Sequence, residues 1–224
     1  MGIKKYLVRI GDLVNHEGVE YSRVKHLMRS VRELGVLFKP VIVDSKTKVV
    51  IDGHHRVAAL KLLGAEYVPA IVVDYKSDIR RIDAFTHVLY GDRNLINRLV
   101  RSAINELECS GRYPLRVSLK SRCGEESVTV MSDLIHAITY INYVASEFGL
   151  KYLKVPPTRA PDRVRLLTES SGQAVLIIKP EVITHEVVIN TVRKGTRLPP
   201  RTTYYVTNLK NVIAPVRLKY LLKP

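Results

Sequence analysis

The sequence predicts an α+β protein with two domains, each of which combines a sheet with helices. In the first 80 residues, short apolar runs typical of strands alternate with segments whose apolar residues recur every three or four positions, as on one face of a helix. The same alternation resumes after a more polar connection over residues 76–93. We therefore expect an N-terminal domain over residues 1–90 and a C-terminal α/β domain over residues 91–224, and 224 residues are enough for both to bury a core.

The first domain is predicted to form a mixed sheet with helices on one side. Strands are expected at residues 6–10, 36–44, 49–51 and 67–75, with a hairpin at 45–48 joining the second to the third. Helices are expected at 21–34 and 54–63, and glycines at 35 and 64 are natural stops for them. Two helices begin near strand ends, so their N-termini are expected to face a shared cleft.

The second domain is predicted from a similar pattern. Helices are expected at 92–107, 132–148 and 181–193, and strands at 115–119, 127–130 and 174–178. The stretch from 151 to 171 is rich in turn residues and is expected to hold two short edge strands.

A polar turn, Asp52-Gly53-His54-His55-Arg56, separates the strand at 49–51 from the following helix. A strand that stops at glycine and opens into a helix presents unpaired N–H groups and the positive end of the helix dipole, which together bind anions. Arg56 and the histidines add donors, and Asp52 suits a magnesium ion that bridges to phosphate. The turn therefore predicts a nucleotide–metal site. In the alternative interpretation, Asp52 only caps the helix.

A second candidate site follows two prolines late in the chain. Pro199 and Pro200 stiffen the backbone directly before Arg201, Thr202 and Thr203. A guanidinium and two hydroxyls on a rigid backbone are suited to holding phosphate or carboxylate. A surface loop followed by an ordinary strand accounts for the same residues equally well.

Composition narrows the class of function. The formal net charge is +15, with Lys and Arg spread along the chain, which suits an enzyme for polyphosphate substrates and equally a nucleic-acid-binding protein. No apolar run approaches membrane-spanning length and no signal-like segment follows Met1, so we expect a cytoplasmic protein with no membrane partner. Cys109 and Cys123 lack the spacing of a disulfide framework or a zinc site.

These motifs resemble the ParB/sulfiredoxin superfamily and, within it, the archaeal free serine kinases, which phosphorylate L-serine to O-phospho-L-serine. The turn alone identifies only the superfamily, and a sulfiredoxin would need a cysteine where His54 stands. The narrower resemblance rests on motifs that follow one another over nearly the whole chain: His16-Glu17, Ser30-Val31, Lys39-Pro40, Asp52 to Arg56, Asp74-Tyr75, Gly91-Asp92 and Pro200-Arg201-Thr202-Thr203.

The resemblance implies a role for each matching residue. Glu17 matches the catalytic glutamate, which takes the proton of the serine hydroxyl, and Asp52 matches the residue associated with magnesium and with the substrate. The nucleotide-binding residues that it implies are Ser30, Val31, Ile51, Gly53, His54, His55 and Arg56. The other substrate-binding residues that it implies are Phe85, Arg201, Thr202, Thr203 and Tyr205.

Some positions depart from the euryarchaeal members of the family. Phe85 stands in place of a tryptophan, Arg201 of a lysine and Tyr205 of a histidine, and the hairpin at 45–48 is shorter. Arg201 can still hold a carboxylate or a phosphate. Members use either ATP or ADP, and a shorter hairpin beside the nucleotide could alter that choice. Of the two donors we favour ATP.

We therefore expect Mg²⁺-dependent transfer of the terminal phosphoryl group of ATP or ADP to free L-serine, in an active-site cleft between the two domains. The resemblance further implies supply of phosphoserine for cysteine biosynthesis. The expected partners are L-serine and the nucleotide, without nucleic acid, and the expected state is a monomer or small homo-oligomer. The alternative function is a ParB-like, nucleotide-dependent DNA-binding protein, which the positive charge favours, although no helix-turn-helix is recognisable after the first domain.

Overall fold

A computed structural model describes residues 5–108 and 111–222, and the chain in it forms two compact units. The first unit combines residues 1–82 with 185–200 and 205–224, and the second combines 83–184 with 201–204. Cys109 lies outside the described residues. Within the described ranges, every helix is too short or too polar to cross a membrane.

The first unit is built on a four-stranded mixed sheet. Its strands are β1 (Lys5–Arg9), β3 (Val41–Asp44), β4 (Val50–Asp52) and β5 (Tyr67–Val73), in the order β1-β5-β3-β4. Strand β3 runs parallel to β5, and the other two pairings are antiparallel. The short strand β2 (Val36–Leu37) lies outside this sheet and pairs with β13 (Val216–Arg217) near the end of the chain. The mixed sheet and the hairpin between β3 and β4 confirm the sequence prediction.

Both faces of this sheet are covered. Helices α1 (Tyr21–Leu34) and α2 (His54–Leu62) pack on one face, where Val31 and Leu60 join Val41 and Val43 in a core. On the other face Ile42, which alternates with those valines along β3, packs with Tyr205 of strand β12 (Thr203–Val206). The short helix α3 (Tyr75–Asp78) follows β5, and α7 (His185–Arg193) also belongs to this unit.

The second unit is a five-stranded sheet in the order β10-β7-β11-β8-β9. Its strands are β7 (Thr86–Tyr90), β8 (Tyr113–Ser121), β9 (Gly124–Ser132), β10 (Lys151–Val155) and β11 (Val175–Pro180), and all their pairings are antiparallel. Helix α4 (Arg93–Leu107) packs against the sheet, while α5 (Leu134–Glu147) follows β9 and α6 (Ala160–Arg165) follows β10. Asp92 and Asp133 cap α4 and α5 by accepting backbone hydrogen bonds. The predicted α+β class is confirmed.

Three stretches differ from the sequence prediction. The polar connection at 76–93 contains β6 (Arg81–Ala84), which pairs with β12, and β7, which lies inside the sheet although it carries His87 at 0% exposure. The stretch 151–171 holds one strand and helix α6 rather than two strands, because Pro161 is tolerated in a first helical turn. Helix α7 begins at His185 rather than at 181, since β11 extends to Pro180.

The compact units also differ from the predicted ranges 1–90 and 91–224. Residues after 204 return to the first unit, where the backbone N–H groups of Glu66 and Tyr67 donate to the carbonyl of Leu221. Leu221 is 0% exposed and packs in the same core as α1 and α2. Such a return depends on contacts between residues far apart in the chain, which composition along the chain does not reveal.

Candidate functional site

The turn between β4 and α2 adopts a conformation that only glycine accommodates well. Gly53 has φ +110°, and a Cβ there would lie 2.7 Å from Val41 Cγ1 and 2.9 Å from Arg56 Nε. Gly53 is the N-cap residue of α2, and no side chain caps the helix. The backbone of the turn therefore approaches its surroundings closely and leaves the positive end of the helix without a side-chain acceptor.

Asp52 and Arg56 form an ion pair across the turn. Arg56 Nη2 donates to Asp52 Oδ2, and Arg56 Nη1 donates to the backbone carbonyl of Pro40. The Asp52 side chain is 33% exposed and that of Arg56 16%. The alternative interpretation, in which Asp52 only caps α2, is therefore wrong. Its carboxylate is instead held at the edge of the turn by the guanidinium.

Glu17 lies in a loop that is held in place by a segment far away in the sequence. The N–H of Gly18 donates to the carbonyl of Leu198 over 2.8 Å, and the N–H of Leu198 donates to the carbonyl of His16 over 2.8 Å. The carboxylate is buried, with a side-chain exposure of 7%. The loop therefore presents Glu17 from a fixed backbone rather than from a flexible tip.

Two buried histidines connect the Glu17 loop to the turn. His16 Nδ1 lies 3.2 Å from His54 Nε2, and His16 Nε2 lies 3.8 Å from Glu17 Oε1. Burial lowers the pKa of His54 to about 3, with further lowering by the charges of His55, Arg56 and Arg197. Burial and the neighbouring His54 also lower the pKa of His16 well below its usual range. Both rings are therefore neutral at pH 7.

His55 accepts a hydrogen bond through Nε2 from the backbone N–H of Glu20, over 3.0 Å. This bond ties the first turn of α2 to the residue before α1. His55 thus has a part in joining two segments of the first unit, which the sequence did not suggest.

Lys210 was not identified from the sequence, although it lies close to the same carboxylates. It sits on a single turn of 3-10 helix, Asn208–Asn211, and is half-buried. Burial lowers the pKa of its ammonium group, while the nearby carboxylates of Asp52 and Glu17 act in the opposite direction. Its position depends on residues that fold back from the end of the chain, and no local motif marks it.

Tyr205 also lies beside Glu17. The ring is 1% exposed and packs edge-on against His16, and its hydroxyl has no hydrogen-bond partner within the described part of the chain. Burial raises the pKa of this phenol well above its usual range, and the charge of Glu17 raises it further. An unpaired buried hydroxyl beside a carboxylate is costly, which is typical of a group reserved for a ligand.

The remaining predicted nucleotide residues of the first unit differ in accessibility. The side chains of Val31 and Ile51 are buried at 3% and 4% exposure and belong to the two cores of the unit. Ser30 is partly exposed on α1. Of these three, Ser30 alone presents a side chain to solvent.

The second unit brings Phe85 and Arg201 together. The Arg201 guanidinium lies over the Phe85 ring, 4.7 Å from its centroid, and Arg201 Nη2 donates to the carbonyl of Lys154 over 2.9 Å. Arg201 has φ +60°, a conformation that non-glycine residues rarely adopt. Thr202 and Thr203 are buried, and the Thr202 carbonyl accepts from the Phe85 N–H. Strained backbone conformations cluster at functional sites, so the φ angle of Arg201 supports a functional role for the direction of its side chain.

The site has the donors for magnesium but not for a metal bound by protein alone. Among the described residues, no group of three or more His, Cys, Asp or Glu side chains could hold an ion. Mg²⁺ keeps several waters and commonly binds through one or two carboxylates together with the phosphates of a substrate. The partly exposed carboxylate of Asp52, beside a helix N-terminus that no side chain caps, fits that mode.

Comparison with known proteins finds one matching family model, similar sequences and a similar fold. Residues 9–86 match the ParB N-terminal domain. The chain is similar to an ATP-dependent L-serine kinase of Desulfurococcus mucosus, with 26% identity over 91% of this chain and 86% of the relative. It is also 33% identical to an ATP-dependent L-serine kinase of Staphylothermus marinus, over 49% of this chain and 46% of the relative. A free serine kinase solved in complex with AMP shares the fold, with a TM-score of 0.75, 19% identity and coverage of 99% of this chain and 95% of that one.

Proposed function

We propose that this chain, whose residues 9–86 match the ParB N-terminal domain, is a free L-serine kinase that uses ATP. The observation that carries the proposal is the placement of Glu17. Its carboxylate is joined through His16 and His54 to the turn that is suited to a polyphosphate, with distances of 3.8 and 3.2 Å along the way. A base and an anion site on one rigid scaffold are what phosphoryl transfer to a hydroxyl requires.

In the proposed reaction, Glu17 accepts the proton of the serine hydroxyl as that oxygen attacks the terminal phosphorus of ATP. The bond from phosphorus to the bridging oxygen breaks, and ADP leaves. Gly53, His54, His55 and Arg56 hold the phosphates by backbone N–H groups and the Arg56 guanidinium, with Ser30, Val31 and Ile51 beside the nucleotide. Lys210 adds a positive charge near Asp52 and Glu17, where negative charge must be stabilised.

We assign magnesium to Asp52. When bound there, the ion would neutralise charge on the phosphates and orient them for transfer. The ion pair with Arg56 keeps the Asp52 carboxylate directed along the edge of the turn. A single carboxylate is enough because the nucleotide supplies further oxygen ligands.

For the amino-acid substrate we propose Asp52, Phe85, Arg201, Thr202, Thr203 and Tyr205. The guanidinium of Arg201, fixed by Phe85 and by the Lys154 carbonyl, suits the carboxylate of serine or the phosphate of the product. The unpaired hydroxyl of Tyr205 supports a polar partner supplied by the substrate. Phosphoserine made in this way would serve cysteine biosynthesis.

The DNA-binding alternative gains no support from the second unit. In the described residues, α4 and α5 are separated by the long hairpin of β8 and β9, so they do not form a helix-turn-helix. The positive charge then serves the attraction of nucleotide and phosphoserine.

The test is to incubate the protein with Mg²⁺, L-serine and either ATP or ADP, and to follow phosphorus by ³¹P NMR. We expect a phosphate monoester resonance that matches authentic O-phospho-L-serine, with ATP faster than ADP and with none formed from D-serine or without an amino acid. Release of inorganic phosphate alone, or phosphoserine formed only with ADP, would contradict the proposal as stated. A salt-sensitive gel shift with duplex DNA in the absence of any phosphoserine would favour the alternative.

A further inference from the structure

The second unit contains a cavity that none of the candidate site residues described above lines. It measures about 380 Å³, a volume typical of small-molecule sites. It lies on the face of the sheet that is opposite to the buried Leu115 and Val117 of β8, since residues 116, 118 and 120 alternate with them along that strand.

Two largely buried residues with hydroxyl groups line the cavity. Ser118 is 2% exposed and Thr86 is 4% exposed, and both line the cavity. Among the described residues, neither hydroxyl has a side-chain hydrogen bond. Because both residues line the cavity, a molecule bound there can complete the hydrogen bonds of these hydroxyls.

Positively charged side chains surround these hydroxyls. Arg116 and Lys179 face each other across β8 and β11 at one end, and Lys120 lies two residues beyond Ser118 towards the other, beside Glu125. Each of these cations already has a carboxylate partner: Lys179 lies 3.7 Å from Asp83, Lys120 3.4 Å from Glu125, and Arg116 Nη2 2.7 Å from Glu181 Oε1. Such partly exposed pairs contribute little to stability, so an anionic group can replace the carboxylate partner at small cost.

The remaining wall is apolar and rigid. Pro157, Pro161 and Val164 line it from the segment around α6. Val164 also packs with Val88 and Val175 in a core on this face of the sheet, which fixes the position of the wall. The site therefore offers charge and hydroxyls on one side and a hydrophobic surface on the other.

We propose that this cavity is a second binding site for a small organic anion with an apolar portion. It is distinct from the candidate site that contains Glu17 and Asp52. The anionic head, a carboxylate or a phosphate, accepts hydrogen bonds from Ser118 and Thr86 and pairs with Lys179 or Arg116. The apolar portion packs against the prolines and Val164. This inference does not depend on the kinase activity, because it rests on residues of the second unit alone.

Phenyl phosphate and benzoate are suitable probes, because each joins an anionic head to a flat apolar body and the two distinguish phosphate from carboxylate. Benzyl alcohol is the uncharged control. Binding is measured by calorimetry, and its location by the ¹H–¹⁵N shifts of the full-length protein. We expect at least one anion to bind saturably and to shift the amides of β8 and β11 around Ser118 and Ile177, with no saturable binding of benzyl alcohol.

Ser118→Val removes one hydroxyl and keeps a side chain suited to a strand. We expect it to weaken binding of the anion about tenfold, the value of one hydrogen bond to a charged group. The unliganded variant should melt no lower than the wild type, because valine suits a strand and no side-chain hydrogen bond is lost. Ser127→Val is the matched control, since Ser127 lies opposite Ser118 on β9 but is exposed and does not line the cavity.

A second variant, Lys179→Met, keeps the test decisive if Ser118→Val fails to fold. Lys179→Met should also weaken binding of the anion, and it should leave the fold intact. The proposal is overturned if neither anion binds at concentrations up to about 10 mM, because a Kd above that value would be a very weak affinity. It is equally overturned if the shifts map elsewhere, or if Ser118→Val and Lys179→Met bind as tightly as Ser127→Val.

Discussion

The turn at 52–56 and the Glu17 loop are both central to the proposed reaction, but they are built in different ways. In the turn, Asp52, Gly53 and Arg56 are neighbours in sequence, and the ion pair and the glycine conformation are set within five residues. The Glu17 loop takes its position from Leu198, to which its backbone is hydrogen-bonded on both sides of Glu17. The proposed anion site is thus formed by residues that are neighbours in sequence, whereas the proposed base is placed by the tertiary fold.

The largest effect should come from Glu17→Gln, which removes the base while keeping the volume of the side chain. We expect the rate of phosphoserine formation to fall about 10²- to 10⁴-fold, the usual contribution of general base catalysis. The Kd for ATP should stay unchanged, because the turn is intact. Glu33→Gln, an exposed change on α1, is the control. Full activity of the Glu17 variant would show that another group is the base.

Lys210→Met tests whether the fold supplies a charge that the sequence did not reveal. The ammonium group lies near Asp52 and Glu17, so its loss should reduce kcat about 10- to 100-fold by leaving developing charge less stabilised. Lys219→Met, which alters an exposed lysine near the end of the chain, should have no effect. Equal kcat values for the two variants would remove Lys210 from the site.

Gly53→Ala tests the local character of the turn. The added Cβ would lie 2.7 Å from Val41 Cγ1 in a backbone conformation that disfavours alanine, at a cost of about 1–3 kcal/mol. We expect a lower Tm and weaker ATP binding, measured by calorimetry. Gly11→Ala is the matched control, because nothing lies within 4 Å of the corresponding position. An unchanged ATP affinity would mean that the turn does not hold the phosphates.

A smaller effect of pH on folding stability is expected in both units. Each unit buries one histidine whose pKa is about 3, His54 in the first unit and His87 in the second. Below pH 6.5 these histidines become protonated in the unfolded chain, whereas in the folded protein they stay neutral until the pH approaches 3. The stability they contribute above pH 6.5 should therefore be lost as the pH falls towards 3.

The measurement is Tm between pH 7.5 and pH 4 for the wild type, His54→Asn and His87→Asn. Each variant should show a shallower fall than the wild type, while His26→Asn, on the exposed face of α1, should follow the wild type. Parallel curves for all four proteins would contradict the assigned burial effects.

The elements predicted from the sequence are those determined by neighbouring residues, and those missed depend on contacts between residues far apart in the chain. Helix α1 was predicted with both of its ends, because its apolar spacing and Gly35 suffice, and the hairpin before the turn was predicted from its short polar link. Strand β7 was missed because His87 and Thr86 look polar, although the fold buries both. Only the resemblance pointed to Glu17 as a candidate, and no sequence motif pointed to Lys210, since both positions depend on segments near residues 198 and 210 that return to the first unit.

The central claim is that the Glu17 loop and the turn act on one phosphoryl group. A double-mutant cycle tests it directly, with kcat for phosphoserine formation measured for the wild type, Glu17→Gln, Asp52→Asn and the double variant. Groups that act as a unit are strongly non-additive, so we predict that the double variant is about as slow as the slower single variant. A double variant whose loss equals the product of the two single losses would show that the two residues act independently, and would contradict the claim.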